Sequence, residues 1–543
     1  SERDNSYGGS MAKKKKKNDN LLRWSDMIIY SYLLMMLGVF PLYYQNNYYN
    51  IGDAKYRFFR LVTLIMLIYL IVTQIGVRLI ERKKEHSRIK FSIMDYAVLA
   101  YGAAAIWSWV LSPYKTEAWI GSGEWYMGLF SQLLFIGIYF AMSRYGTEER
   151  WPLWVMGVSG AIVFLVAYLH RFNIDPLGMY KGVADNQKIG FLGLIGQSSW
   201  YSSYICVVLP VMMGIYATVH WKNTTTDRCK RILLGVFLFL GFCSAVTQNT
   251  DSIYLGIGLA FLFFLWFALE DMKIWKRLIE MGILAVAAAK FTGVLQMKFP
   301  EKVIPLDPLS FMVTKSKAGW LVLIAGILVY GLTCLLERRY AGKELQKLRR
   351  WIRLARLIFY ILVILAILSL PLMVWLVTTG RKTAETGILQ ESGYLVFDWN
   401  WGNGRGRTWS YCMRVFLEFS PLRKLFGCGP DSLAFYTAVH HAEEVQGMWG
   451  GLILTNAHNE WLTALVDYGM VGAVCYIGVF ITAWVRSIQY QKARPALLAA
   501  GAVILAYVGH NFFCYQQVIC TPFIFIVMGI SEYLIRKEKQ IST

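Results

Sequence analysis

Residues 357–377, LIFYILVILAILSLPLMVWLV, form an apolar run without Asp, Glu, Lys or Arg. A run of about 18 or more such residues is long enough for a helix to cross the hydrocarbon core of a bilayer. Comparable runs recur along the whole 543-residue chain, which is 56% hydrophobic and 16% charged. A soluble domain has about 45–50% apolar and about 25% charged residues. The sequence therefore predicts an all-α polytopic membrane protein.

We predict about fourteen transmembrane helices, with about twelve as the lower bound because two of the runs are weak. The weak runs are Trp125–Met142, which is short, and Trp275–Phe291, which contains Lys290 near its end. The other predicted spans are Met27–Tyr44, Phe58–Ile80, Ser92–Leu111, Leu153–Leu169, Tyr201–Val219, Ile232–Val246, Ile253–Leu269, Gly319–Leu336, Leu357–Val377, Gly469–Arg486, Ala496–His510 and Ile519–Leu534.

The formal net charge is +21, and Lys and Arg gather in short loops between the apolar runs. The positive-inside rule accounts for this pattern, so we predict no nucleic-acid partner. The rule places both termini in the cytoplasm, together with Arg82–Lys90, Lys222–Arg231 and Arg338–Arg356. It places Arg171–Ser199 and the long loop before the last spans on the other side of the membrane.

These patterns divide the chain into six parts. They are a Gly/Ser-rich expression remnant at 1–10, a basic cytoplasmic N-terminus at 11–26, a transmembrane bundle at 27–377, a large extracytoplasmic loop at 378–460, C-terminal spans at 461–535 and a cytoplasmic tail at 536–543. A loop of about 80 residues is too long for a simple connection and is typical of a functional segment. The scattered cysteines lack a Cys-x-x-Cys motif and predict no zinc site. Whether Cys412 and Cys428 pair is open.

The long loop contains a helical pattern at 407–419. Its apolar face is expected to rest on the outer membrane surface, as interfacial helices do. Arg407 and Arg414, seven residues apart, share another face. Asn456 can cap a second helix that starts near His458. The apolar face comprises Trp409, Cys412, Met413, Phe416 and Phe419.

Arg405 and Arg407 stand beside Gly404 and Gly406, just before the N-terminus of the first of these helices. Guanidinium groups are permanently charged forks that match phosphate oxygens, and a helix N-terminus adds attraction for an anion. His458 has an ordinary pKa near 6.5, so it can accept a proton from an attacking hydroxyl at neutral pH. The pattern therefore indicates a site for a diphosphate and a hydroxyl.

The long loop and the start of the next span contain, in order, Gly404-Arg405-Gly406-Arg407-x-Trp409, Pro421, Phe426-Gly427-Cys428-Gly429-Pro430, Ala457-His458-Asn459-x-x-Leu462 and Tyr468-Gly469-x-x-Gly472. These motifs resemble those of the O-antigen ligase and polymerase superfamily. The resemblance implies a GT-C-like scaffold in the bacterial cytoplasmic membrane. It also implies an inverting, metal-independent glycosyltransferase without a cofactor. Such an enzyme transfers glycan from undecaprenyl diphosphate to an acceptor hydroxyl outside the membrane, so its expected partners are a lipid-linked donor, a glycan acceptor and membrane lipids.

The resemblance also assigns roles to residues. Arg405 or Arg407 would hold the diphosphate, His458 would orient or deprotonate the acceptor, and Asn459 would support His458 or the start of its helix. Family members often carry an arginine at the outer end of a middle span, where this chain has Thr247–Ser252 without one. Arg414, Arg171, Lys181 and Lys188 are the possible substitutes. The remaining candidate contacts with the substrate are Trp409 and Asp251.

Several functional alternatives remain open at this stage. A repeat-unit polymerase is favoured over a ligase that moves finished polymer to another molecule. A flippase for lipid-linked sugars would need charged residues buried within its spans. A peptidoglycan glycosyltransferase of the shape, elongation and division type would instead depend on an aspartate of the loop, Asp398 or Asp431. His510 and Asn511, at the end of a span, could line the site, although a cap or interface role is favoured.

Overall fold

The computed structural model describes residues 24–80, 90–219, 224–339, 343–380, 395–450 and 453–542. The predicted expression remnant at 1–10 and residues 11–23 lie outside the described residues. The helices are α1 (Trp24–Val39), α2 (Ile51–Ile80), α3 (Ile93–Leu111), α4 (Lys115–Ile120), α5 (Leu129–Tyr145), α6 (Trp151–Arg171), α7 (Ser198–Thr218), α8 (Thr225–Thr247), α9 (Ser252–Ala268), α10 (Met272–Lys298), α11 (Pro308–Lys315), α12 (Ala318–Arg339), α13 (Lys343–Gly380), α14 (Trp401–Glu418), α15 (Pro421–Phe426), α16 (Leu433–His440), α17 (Ala442–Trp449), α18 (Glu460–Tyr490), α19 (Ala496–His510) and α20 (Thr521–Ser542). Short 3-10 turns lie at Asn47–Asn50 and Lys188–Gly190. The described residues contain one antiparallel strand pair, β1 (Phe191–Leu192) and β2 (Gly196–Gln197).

The structure confirms an all-α polytopic membrane protein. Each predicted span overlaps a helix, and within the described ranges nine helices are long and apolar enough to cross a membrane. These nine are α2, α3, α6, α7, α8, α10, α12, α13 and α18, while α1, α9 and α19 are shorter apolar helices. The total of about fourteen spans stays a prediction.

Helix α7 lies at the centre of the bundle. In its apolar window 89% of the residues are buried, against 6% for α12 and none for α13. Small residues allow the close contacts, because a Cβ on Gly214 of α7 would lie 2.3 Å from the Cβ of Ala499 in α19. Glycine and alanine are the residues that let membrane helices approach closely. The apolar surfaces of α12 and α13 are those expected of helices that face lipid.

The two ends of the bundle differ in character. At one end, ion pairs join α3, α5, α18 and α20, among them Arg144 Nη2 to Asp95 at 3.0 Å and Arg486 Nε to Glu532 at 2.7 Å. The other end, called the loop end below, gathers the segments 112–128, 172–197, 248–251, 395–460 and 511–520. The assignment of the loop end to the outside of the cell stays a prediction.

The helices of the long loop have an apolar core of their own. It comprises Tyr411, Cys412, Val415, Phe416, Phe419, Cys428, Leu433, Tyr436, Val445, Leu454, Ala457 and Val466. The apolar face of α14 is therefore directed largely at the protein, whereas the sequence predicted contact with lipid. Cys412 and Cys428 are both buried there as free thiols, so the possible disulfide does not form.

Candidate active site

Three consecutive residues bend the chain at the start of α14. Gly402, Asn403 and Gly404 have φ values of 58°, 64° and 88°, so regular helical geometry begins at Arg405. Left-handed backbone is accessible to glycine without steric cost. At Gly406 a Cβ would lie 1.9 Å from the carbonyl oxygen of Asp398, and only glycine fits. The glycines thus place Arg405 in the first turn of the helix, whereas the sequence predicted that the helix begins only at Arg407.

The guanidinium of Arg405 is partly buried and incompletely paired. Its Nη1 donates to the carbonyl oxygen of Gly402 at 2.9 Å, and the group lies 5.8 Å from the centre of the Phe513 ring. Its buried Nε has no hydrogen-bond partner within the described part of the chain. Burial lowers the pKa of Arg405, with Cys514 and Asp251 acting in the opposite direction. A desolvated cation with a free donor is a natural site for an anion.

Arg407 and Arg414 both contact α17, which confirms that they share a face. Arg407 Nη1 donates to the carbonyl oxygen of Met448 at 2.6 Å and lies over Trp449. Arg414 forms an ion pair with Glu444 and is about half exposed. Because Arg405 is only two residues from Arg407, it points in nearly the opposite direction on the helix. The structure therefore separates Arg405 from the two other arginines.

His458 lies on the loop that leads into α18. Its φ of 49° is left-handed, and its backbone N–H donates to Asn456 Oδ1 at 2.9 Å. The ring stands edge-on to Tyr515, with centroids 5.1 Å apart. Burial and the charge of Arg405 lower the pKa of His458 to about 4. The imidazole is therefore neutral at pH 7, and its nitrogens have no hydrogen-bond partner among the residues that the structure describes.

Asn459, rather than Asn456, caps α18. Its Oδ1 accepts the backbone N–H of Leu462 at 3.0 Å, and the helix begins at Glu460. Asn456 instead forms the turn that holds the backbone of His458. Both asparagines stand before the same helix, and only the backbone geometry distinguishes their roles. Asn459 thus supports the start of the helix, which is one of the two roles that the resemblance implied.

The turn at 247–251 lies between two candidate cations. At its start, the carbonyl oxygen of Thr247 accepts from Nε of Arg171 at 2.6 Å. Arg171 is fully buried, and its two terminal nitrogens have no hydrogen-bond partner in the part of the chain that the structure describes. At the other end of the turn, the charge of Asp251 acts on Arg405. Arg171 therefore occupies the neighbourhood in which the family arginine is missing.

Trp409 holds α14 against the segment after α19. Its ring packs on Phe513 at 5.8 Å and on Phe512 at 5.5 Å between centroids. The buried Nε1 of Trp409 has no hydrogen-bond partner within the described ranges. The sequence named Trp409 as a substrate contact, and the packing gives it a clear supporting role beside Arg405.

Asp431, the alternative catalytic carboxylate, anchors the backbone of another loop. It is 3% exposed and accepts the backbone N–H groups of Ser122 at 2.6 Å and Met127 at 3.1 Å. Burial raises the pKa of Asp431 to about 7, although these two bonds oppose the shift. Asp398 is exposed and accepts the N–H of Asn400 at 2.9 Å. These contacts indicate a structural role for Asp431.

Sequence reasoning gave no role to Glu460, which directly follows the His458-Asn459 pair. The side chain of Glu460 is 2% exposed and accepts hydrogen bonds from Tyr476, Tyr507 and Asn511. An acidic residue at the start of an apolar helix is costly unless it is paired, and this could have identified it. Among the described residues, no three His, Cys, Asp or Glu side chains are grouped as metal ligands.

An apolar cavity of about 440 Å³ opens among α8, α9, α10, α11 and α12. Its wall includes Val246, Ile253 and Tyr254, which lie near the 247–251 turn. Lys290 also lines it, but its Nζ donates to the carbonyl oxygens of Thr314 at 2.9 Å and Ser316 at 2.6 Å. The cavity therefore offers an almost entirely apolar surface.

Comparison with known proteins supports the resemblance to this family. A family profile described as O-Antigen ligase matches residues 304–477, which contain α11 to α17 and the His458-Asn459 pair. This part of the chain is similar to the O-antigen ligase family. The resemblance drawn from the motifs is thereby confirmed, and no curated protein matches the chain significantly. The O-antigen ligase family indicates a bacterial membrane protein of the glycan-transfer type, with lipid-linked glycan and polysaccharide as its class of substrate.

Proposed function

We propose that this protein transfers glycan from undecaprenyl diphosphate to an acceptor hydroxyl at the outer face of the bacterial cytoplasmic membrane. The reaction inverts the anomeric centre and needs no metal ion. The proposal depends on one observation: the guanidinium of Arg405 lies over Phe513 and the imidazole of His458 stands edge-on to Tyr515, so both groups contact the segment after α19. The first group suits a diphosphate, and the second suits a hydroxyl.

In the proposed step, the acceptor oxygen attacks the anomeric carbon and the bond from that carbon to the diphosphate oxygen breaks. The hydroxyl proton passes to His458, and the electron pair of the broken bond leaves with the diphosphate. Arg405 stabilises the negative charge that develops on the leaving oxygen. A bound diphosphate also neutralises Arg405, which raises the pKa of His458 and makes it a stronger base. Binding of the diphosphate therefore both engages Arg405 and makes His458 more basic.

Arg171 is the substitute that we favour for the missing family arginine. Of the alternatives, Arg414 is paired with Glu444, and Lys188 with Asp185 at 2.7 Å. Arg171 keeps two buried terminal nitrogens without a hydrogen-bond partner among the described residues. Buried guanidinium donors without partners are costly, and a phosphate oxygen would satisfy them. Arg407 and Arg414 would act mainly by holding α14 in place.

The apolar cavity beside the 247–251 turn is suited to part of the isoprenoid tail. Its wall contains almost no polar surface, and burying apolar groups there is favourable by about 25 cal/mol per Å². The diphosphate would then lie at the loop end, between Arg171 and Arg405. This places the reacting bond at the boundary between lipid and water.

Within this class, a repeat-unit polymerase is favoured over a ligase. The many apolar spans support that choice. A ligase that transfers finished polymer to a lipid, wall or protein acceptor is the alternative. The products distinguish the two, because a polymerase yields a ladder on the polyprenyl carrier and a ligase moves glycan off it.

The test is glycan transfer by purified protein in nanodiscs, with a lipid-linked donor and chelator present. We expect His458→Ala to abolish transfer. The matched control is His441→Ala, because His441 lies in the same loop but contacts Glu418 and Glu444. Transfer by His458→Ala at the wild-type rate would overturn the assignment, and so would a strict requirement for a divalent cation.

A further inference from the structure

Glu460, Asn511 and His510 form a buried chain of hydrogen bonds beside the proposed site. Their side chains are 2%, 1% and 0% exposed. Glu460 accepts hydrogen bonds from the hydroxyl of Tyr476 at 2.5 Å, from the hydroxyl of Tyr507 at 3.1 Å and from the amide Nδ2 of Asn511. The chain continues from Asn511 Oδ1 to His510 Nδ1 at 2.8 Å. It joins the first turn of α18 to the last turn of α19.

The direction of these hydrogen bonds fixes the tautomer of His510. The oxygens of Glu460 accept from Tyr476, from Tyr507 and from Nδ2 of Asn511, so the NH₂ group of Asn511 faces Glu460. Its carbonyl oxygen then faces His510, and Nδ1 must carry the proton that fills this bond. A neutral imidazole has one N–H, so Nε2 carries a lone pair. This lone pair is buried, and Nε2 has no hydrogen-bond partner among the described residues.

The unfilled acceptor of His510 and the unfilled donor of Arg405 are linked through Phe513. The backbone N–H of Phe513 donates to the carbonyl oxygen of His510 at 3.0 Å, and Arg405 lies 5.8 Å from the centre of the Phe513 ring. The Nε–H of Arg405 has no hydrogen-bond partner among the described residues. The first turn of α14 covers this region, since Trp409 stacks on Phe513 and Arg405 lies over the same ring. A hydroxyl group is complementary to such a pair, because it accepts one hydrogen bond and donates another.

We propose that Nε2 of His510 accepts a hydrogen bond from a hydroxyl of the sugar substrate. Glu460 is the positioning residue, which acts through Asn511 to keep the lone pair of His510 on Nε2. The inference rests on the proposed glycan transfer and extends it by a second imidazole at the same site. His458 remains the group that receives the proton of the acceptor hydroxyl.

The test compares His510→Ala, Glu460→Gln and the double variant in the full-length protein, with transfer measured against donor and acceptor concentration. We expect His510→Ala to lower kcat/KM about tenfold, the value of one lost hydrogen bond. Glu460→Gln should lower kcat/KM by a similar factor. The new amide can donate to Asn511 Oδ1, and the Asn511 amide then flips so that its NH₂ group faces His510. The proton of His510 then moves to Nε2. The substrate whose KM rises identifies which sugar carries the hydroxyl.

The double variant distinguishes positioning from a structural effect. If Glu460 acts through His510, the double variant is no slower than His510→Ala. Tyr507→Phe is the matched control, because it removes one bond to Glu460 and leaves the bond to Asn511. Thermal unfolding of each variant shows whether it is folded. If the fold-decreases of kcat/KM in the two single variants multiply in the double variant, Glu460 does not act through His510. If His510→Ala keeps the wild-type kcat/KM, His510 does not contact a hydroxyl of the substrate.

A spectroscopic readout is independent of activity. The chain has 7 histidines, so ¹⁵N-histidine NMR with His510→Ala as the assignment control is practicable. We expect His510 as the Nδ1–H tautomer in the wild type and as the Nε2–H tautomer in Glu460→Gln. The same tautomer in both proteins would overturn the inference. If His458→Ala keeps wild-type transfer, the proposed function fails separately, whatever the tautomer of His510.

Discussion

The imidazole of His458 stands edge-on to the ring of Tyr515, with centroids 5.1 Å apart and planes at 84°. Tyr515 is itself fixed, because its hydroxyl donates to Gln197 Oε1 at 2.7 Å and accepts from Trp200 Nε1 at 2.9 Å. The segment after α19 therefore ties the candidate base to α7, the most buried helix of the bundle. The position of His458 therefore depends on Tyr515 and α7 as well as on its own loop.

Replacement of Tyr515 should lower the rate of transfer by changing the position of the His458 imidazole. In Tyr515→Ala the imidazole loses its neighbour, and a shift of about 1 Å in a reacting group costs up to roughly 100-fold in rate. Tyr515→Phe keeps the ring but leaves Trp200 Nε1 unsatisfied, which should cost about 1–3 kcal/mol of stability. Transfer rates and thermal unfolding of both variants check this. Equal transfer rates in the two variants would contradict it.

Replacement of Arg405 should change the pH dependence of transfer. A neighbouring cation disfavours the imidazolium form, so removing it in Arg405→Gln raises the pKa of His458 from about 4 towards its ordinary value of 6.5. The acid limb of kcat/KM against pH reports the free enzyme, so it should move to higher pH. Arg405→Lys keeps the charge and serves as the control. Coincident acid limbs in the wild type and Arg405→Gln would show that the two groups are not coupled.

Arg407 and Arg414 should behave differently from Arg405. Arg414→Ala removes a half-exposed ion pair, and such pairs contribute about 0–1 kcal/mol. Arg407→Ala removes a partly buried bond to the carbonyl oxygen of Met448, which should cost about 1–3 kcal/mol. We expect lower stability and an unchanged KM for the donor in both, against a raised KM in Arg405→Gln. A donor KM that rises more in Arg407→Ala than in Arg405→Gln would contradict this.

Asp431 should make stability depend on pH without taking part in transfer. Its pKa is raised from 3.8 to about 7 in the folded protein, so folding favours the protonated acid. The resulting stabilisation is present below about pH 4 and is lost as the pH rises through about 7. Asp431→Asn cannot titrate, and its Tm should fall less than that of the wild type between pH 5 and about 8. If Asp431→Asn is folded but transfers no glycan, this result would contradict a purely structural role and support Asp431 as a catalytic aspartate.

The sequence was sufficient for the features that arise locally. Long apolar runs predicted the membrane helices, and the apolar periodicity at 407–419 predicted α14. The direction of the apolar face of α14 was wrong, because periodicity shows that Cys412 and Phe416 are buried but not whether lipid or protein covers them. The cap of α18 was assigned to Asn456, since both asparagines there have the chemistry of a cap.

The contacts that define the site join distant parts of the chain. Glu460 and Asn511 are 51 residues apart, and Arg171 meets Thr247 across 76 residues. No local pattern fixes such pairings, because they depend on how α18 packs on α19 and α6 on α8. Burial was the available signal, since an acid or an arginine at the end of an apolar helix needs a partner.

A structure of His458→Ala with an undecaprenyl-diphosphate-linked glycan bound in nanodiscs tests the central claim most directly. We predict a diphosphate oxygen within hydrogen-bond distance of the Arg405 guanidinium and the anomeric carbon on the side of residue 458. A diphosphate bound at Arg407 or Arg414, or away from Arg405 altogether, would contradict the account.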